Sequence, residues 1–118
     1  MIAIYRDGVG GPSYHEKVIR NEIKDVMSMI KSYSSNYRPQ IVYTLIDEGM
    51  NIRFAQMNRD VFENPAPGTV VDQGLVEHAT TQGSFDYFMI ANKATVATAR
   101  PVHFYVVQNK SSLTRAQI

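Results

Sequence analysis

At 118 residues, with 44% hydrophobic and 19% charged residues, the chain has ordinary globular composition and can bury one core. A net charge of +1 leaves no general electrostatic pull toward nucleic acid, so any such contact has to come from placed residues. The absence of cysteine excludes disulfide frameworks and thiolate metal sites and fits an intracellular protein; no run approaches the roughly 18 apolar residues of a membrane helix, and there is no signal-peptide pattern.

The first predicted element is a strand over the apolar run Met1-Ile2-Ala3-Ile4-Tyr5, which leads into Arg6-Asp7-Gly8-Val9-Gly10. A strand with apolar residues on both faces suggests a buried, parallel sheet, and such sheets carry ligands just past the carboxyl ends of their strands. Asp7 stands at that position. Two readings are open for it: a turn or helix-entrance residue, since Asp-Gly is common turn chemistry, or a catalytic or metal-binding carboxylate. The chain opens directly on strand residues and stops soon after Leu113-Thr114, which suggests a segment of a larger protein.

Past the glycines, Ser13 and Glu16 form a capping-box pattern, so a helix is expected from near Tyr14. Its apolar residues, Tyr14, Val18, Ile23, Val26, Met27, Ile30 and Tyr33, recur at the spacing of one buried face, with Lys17, Arg20, Lys24, Asp25 and Lys31 opposite. Pro39 closes the region, and Ile41 to Ile46 reads as a second buried strand, completing a right-handed βαβ unit with parallel strands. Asp47 and Glu48 end that strand, either as a solvated acidic turn or as partners of Asp7.

Alternation from Asn51 to Gln56 predicts a strand with Arg53 on one face and Ile52 and Phe54 on the other. Met57 to Gly68, with Asn64-Pro65-Ala66-Pro67-Gly68, reads as a long loop. Thr69 to Val71, Phe85 to Ile90 and Val102 to Val107 are further strand candidates. His15, His78 and His103 have no ligand spacing and read as surface or strand histidines. The small, polar stretch from Ala94 to Arg100 would let a phosphate backbone approach, with Arg100 able to hold a phosphate through two hydrogen bonds; an ordinary loop with one exposed arginine is the alternative, and Arg53 has the same two readings.

Taken in order, Tyr5-Arg6-Asp7-Gly8-Val9, the long helix, Ile52-Arg53-Phe54, Asn64 to Asp72, Phe85-Asp86-Tyr87-Phe88 and Ala99-Arg100-Pro101-Val102-His103-Phe104 resemble the Piwi domain of Argonaute and Piwi proteins over nearly the whole chain. The resemblance implies an α/β fold with a ribonuclease-H-like mixed sheet, and an RNA-guided silencing protein that holds guide small RNA and cuts the paired target RNA. Asp7 then matches one of the family's metal-binding catalytic acids, helping to hold two magnesium (or manganese) ions that activate water and stabilise the leaving oxygen. Arg53, Asn92, Val96 and Arg100 match positions of guide contacts, which suits recognition of an A-form duplex through its backbone and 2′-hydroxyls.

Departures from the pattern accompany it. The family's first aspartate, loop glutamate and late histidine or aspartate are expected outside these residues, and the remaining Piwi and preceding domains are expected partners, the latter holding most of the pocket for the guide's 5′ phosphate; the segment alone is therefore expected to be inactive and, with strand edges exposed, to self-associate. Asp47-Glu48-Gly49 replaces a run that is often basic or amide-bearing, and Asn92 replaces a frequent histidine. A Piwi module that holds guide RNA without cutting and recruits silencing partners is the alternative within the family; from the residues alone, a small α/β metabolite-binding domain also stands.

Overall fold

The computed structural model describes residues 1–7, 17, 21–76 and 84–118. The glycine turn at 8–11, the Ser13/Glu16 cap, His15 and His78 lie outside the described residues. Five strands form one sheet in the order β1 (Ile2–Asp7), β2 (Ile41–Asp47), β7 (Val102–Lys110), β6 (Phe85–Met89), β5 (Val70–Val71). β1 and β2 run parallel, with Ile2 opposite Ile41 and Asp7 opposite Ile46, and every other pairing is antiparallel. This is the mixed sheet expected. β2 lies between β1 and β7, and its residues from Ile41 to Leu45 are all buried.

The parallel pair needs a crossover, and helix α1 (Ile23–Tyr33) occupies it. Ile23 and Met27 pack on Tyr43, Leu45, Ile4, Tyr105 and Val107, which fill one face of the sheet. The opposite face has a second cluster of Val42, Phe85 and Val106 with Tyr87 and Ile118 against it. Lys17, Lys24, Asp25 and Lys31 are exposed as the periodicity predicts, but so is Tyr33, at 89%, the last residue of the helix.

Three expectations change. β1 is not buried on both faces: Tyr5 is 57% exposed, and burial alternates along the strand because only one face is covered by packing. Residues 51–55 keep the predicted alternation, Ile52 and Phe54 half-buried and Arg53 exposed, but pair with no strand; Arg53 itself caps the local carbonyls, donating from Nη1 to Met50 O at 3.0 Å and Ile52 O at 2.7 Å. The expected long loop from Met57 is mostly a hairpin, β3 (Gln56–Asn58) and β4 (Val61–Glu63), joined at Arg59 and Asp60. Those two residues have φ of 47° and 66°, the positive pair of a type I′ turn that usually uses Asn-Gly or Asp-Gly, so its usual sequence signal is missing.

The remaining loop is short and closed by a backbone hydrogen bond. Thr69 N donates to Ala66 O at 3.1 Å around Pro67-Gly68, and Gly68 has φ of 86°, the order and backbone of a type II turn. At the far end of the chain, a capping box between Thr114 and Gln117 opens a 3-10 turn (Arg115–Gln117). Arg115 donates to Asp72 O at 2.7 Å and lies over the Phe85 ring at 5.4 Å, tying that turn to the exit of β5.

Candidate nucleic-acid interface

The register brings the predicted site residues to one end of the sheet. Asp7 is the last residue of β1 and Asp47 the last of β2. Asp47 is opposite His103 near the start of β7, and Met89 at the end of β6 is opposite both Val102 and Val70. The 90–101 connection and the 64–69 turn therefore emerge where the two parallel strands present their carboxyl ends, the edge at which such sheets carry ligands.

Asp7 is exposed at this edge, on the face away from α1. Its neighbour Arg6 points to the other face and ties the strand down: Arg6 donates from Nη1 to the Asp7 carbonyl and from Nε to Glu22 Oε2 at 3.1 Å, and the Tyr43 hydroxyl donates to the same Glu22 oxygen at 3.0 Å. Burial, then the hydrogen bond and charge of Glu22, push the Tyr43 hydroxyl above its ordinary pKa, with Arg6 acting weakly against them. Asp47 does not turn toward Asp7; it accepts from Gly49 N at 2.8 Å, the local acidic turn that was one of its two readings.

Among the described residues no three His, Asp or Glu side chains come together as a metal site. Asp7 offers one carboxylate at the strand end, and these residues do not make a complete magnesium site with it.

Asn92, Val96 and Arg100 all lie exposed on the 90–101 connection, Val96 at 85%. The connection is anchored at both ends, with Ile90 1% and Ala99 2% exposed and Pro101 fully buried. Arg100 has no hydrogen bond or ion pair with the described residues, so its guanidinium is presented to solvent between a buried alanine and a buried proline. Arg53 lies on the separate 51–55 segment, positioned by Phe54, whose ring meets Phe88 edge-on at 5.6 Å. The candidate interface thus consists of two exposed arginines on independently anchored segments rather than a basic surface.

Two features escaped sequence reading. Asp86 is 2% exposed inside β6, and His103 Nε2 lies 2.8 Å from its Oδ2; the His103 ring stacks on Phe88 at 4.4 Å. The reading of His103 as a strand histidine holds, and the available signal for its partner was an aspartate within an apolar strand, which burial obliges to find a donor. The second is Asn64. Its Nδ2 donates to Ala97 O at 2.9 Å and its Oδ1 accepts from Ala99 N at 2.9 Å.

The Piwi domain family profile matches residues 1–118. Piwi-like protein Ago3 of Bombyx mori is 34% identical over 117 residues, covering 98% of this chain and 12% of that protein. The C-terminal lobe of a budding yeast Argonaute superposes with a TM-score of 0.77 at 21% identity, over 95% of this chain and 24% of that one. The Kluyveromyces polysporus Argonaute solved with a guide RNA gives 0.74 at 22% identity, over 95% and 14%. The last two likenesses establish the ribonuclease-H-like sheet of the Argonaute lobe. The chain spans 11% to 12% of the first curated relatives it matches.

Proposed function

The chain belongs to the Piwi domain family, matched over residues 1–118, and from that premise we propose that it is the part of an RNA-guided silencing protein that contacts guide RNA and supplies Asp7 to the cutting site. The observation that carries the reading is the exposed, anchored 90–101 connection with Arg100 at the carboxyl-end edge of the parallel pair, in a chain that shares its fold with an Argonaute solved with guide RNA. Arg100 grips a backbone phosphate through paired N–H donors, Arg53 holds a second, and Asn92 and Val96 are further guide contacts on the connection that carries Arg100. Few placed donors suit a ligand read through phosphates and 2′-hydroxyls, and they fit a net charge of +1.

In this reading Asp7 is one carboxylate of a magnesium or manganese site completed by other parts of the protein, and the 118 residues are a central segment of an incomplete Piwi domain that is inactive alone. Its partners are guide small RNA, complementary target RNA and the protein's remaining domains, and its work is intracellular.

The test uses the guide-loaded, full-length protein with complementary RNA in magnesium. Arg100→Ala should weaken guide binding and flatten its salt dependence, while Asp7→Ala should abolish cutting with the guide still bound. Guide binding with no cutting by the wild type would assign the protein to the non-cutting, partner-recruiting class. No loss of guide binding in Arg100→Ala would remove the interface.

A further inference from the structure

Asn64 bridges two parts of the fold that are far apart in sequence. It follows β4 and precedes the Pro-Gly turn, yet both ends of its carboxamide are engaged by the 90–101 connection, one at Ala97 O and the other at Ala99 N. Ala97 has φ of 68°, a left-handed conformation disfavoured for any residue with a Cβ. Ala99 is 2% exposed, and a buried N–H at such a position requires a partner. The carboxamide therefore offsets the two costs of this conformation together, accepting from the buried amide and holding the carbonyl of the strained residue.

The rest of the turn fixes the other end of the connection. Gly68 N donates to Ile90 O at 2.7 Å and Ile90 N donates to Thr69 O at 2.9 Å. Pro65, next to Asn64, is buried and has a restricted φ, so the carboxamide starts from a rigid base. One short turn thus clamps the connection where it leaves β6 and where it enters β7. Arg100 is the next residue after the clamp, and Val96 immediately precedes the left-handed Ala97.

We propose that Asn64 is a positioning residue for guide RNA: its two-armed grip on Ala97 and Ala99 holds the 90–101 connection in its binding shape before RNA arrives, so that Arg100 meets a phosphate without the connection having to be ordered. This rests on the guide-binding reading above. Preorganisation of this kind raises affinity by removing an ordering cost, without a contact of its own.

The experiment measures binding of a labelled single-stranded guide RNA to the full-length protein over a range of salt concentrations. Wild type is compared with Arg100→Ala, Asn64→Ala, Asn64→Ser and the Asn64→Ala/Arg100→Ala double variant, with the melting temperature of each recorded without RNA. Arg100→Ala should weaken binding and lower the log-log salt slope by about 0.7, the share of one single-strand phosphate contact. Asn64→Ala should weaken binding roughly tenfold, the equivalent of a lost hydrogen-bonded arrangement, and lower the slope by a similar amount. The double variant should be little worse than Arg100→Ala alone, because both changes remove the same contact. Asn64→Ser, which keeps a side-chain oxygen but only one arm, should fall between wild type and Asn64→Ala, and it carries the comparison if Asn64→Ala does not fold.

Normal binding by the Asn64 variants alongside weakened Arg100→Ala overturns the positioning role while leaving the interface standing. So does a lowered melting temperature with an unchanged salt slope, the signature of a merely structural asparagine. Unchanged binding and slope in Arg100→Ala overturn the guide-binding reading itself, and the positioning role with it.

Discussion

Asp86 shows how a single buried polar side chain constrains its neighbours. Its carboxylate reaches His103 across to β7, and the imidazole lies flat on Phe88, which Phe54 meets from the side. The 51–55 segment that carries Arg53 therefore rests on an aromatic ring braced by this pair. Removing the carboxylate leaves the imidazole without that partner at a site only 17% exposed, and losses of this kind cost about 1–3 kcal/mol. Asp86→Ala should lower the urea midpoint accordingly, and Asp86→Ala combined with His103→Phe should cost less than the sum of the single changes. Strict additivity would show that the two residues are not coupled. His103 was legible as a strand residue from the apolar run around it. Its partner was not, because the match depends on β6 and β7 being aligned with Phe88 opposite His103, a relation between strands that no local pattern carries.

Among the elements, α1 and the two parallel strands were the most legible, since helical periodicity and apolar runs are local signals. What joins them is less so. Glu22, just before α1, takes Arg6 from β1 and Tyr43 from β2 onto one carboxylate oxygen, tying the helix to both strands. Tyr43 has a pKa raised in the folded protein, chiefly by burial, and Tyr87 is raised likewise by burial with a smaller push from Tyr5. Both stabilising contributions are complete below the ordinary tyrosine value of about 10 and are lost as pH rises from there through the folded values. Stability measured by urea unfolding should therefore decline above about pH 10, and Tyr43→Phe should decline less steeply. An equal decline in the variant would mean that Tyr43 does not contribute. The β3–β4 hairpin was hidden for a different reason: Arg59 and Asp60 adopt positive φ without glycine, a choice that pairing of the flanking residues enforces against local preference.

For the whole molecule, the sheet ends at β1: no described strand pairs with its outer edge, and Ala3 and Tyr5 are exposed on its uncovered face. Open edges of this kind template further strand pairing. The 118-residue chain is expected to sediment above monomer mass at high concentration, and Ala3→Lys, which puts a charge on the edge strand, should shift it toward monomer; a wild-type monomer under those conditions would contradict the expectation. By itself the sequence determined the βαβ start, the sheet strands β5, β6 and β7, the position of Asp7 at a strand end and the family, because each rests on runs of neighbouring residues or on their order. Only the tertiary structure decided that β1 is covered on one face, that Asp86 belongs with His103, and that Asn64 grips a connection some thirty residues further along the chain, 33 and 35 positions away at Ala97 and Ala99. These depend on sheet register and on backbone amides and carbonyls, groups that every residue carries alike and that a sequence therefore cannot mark.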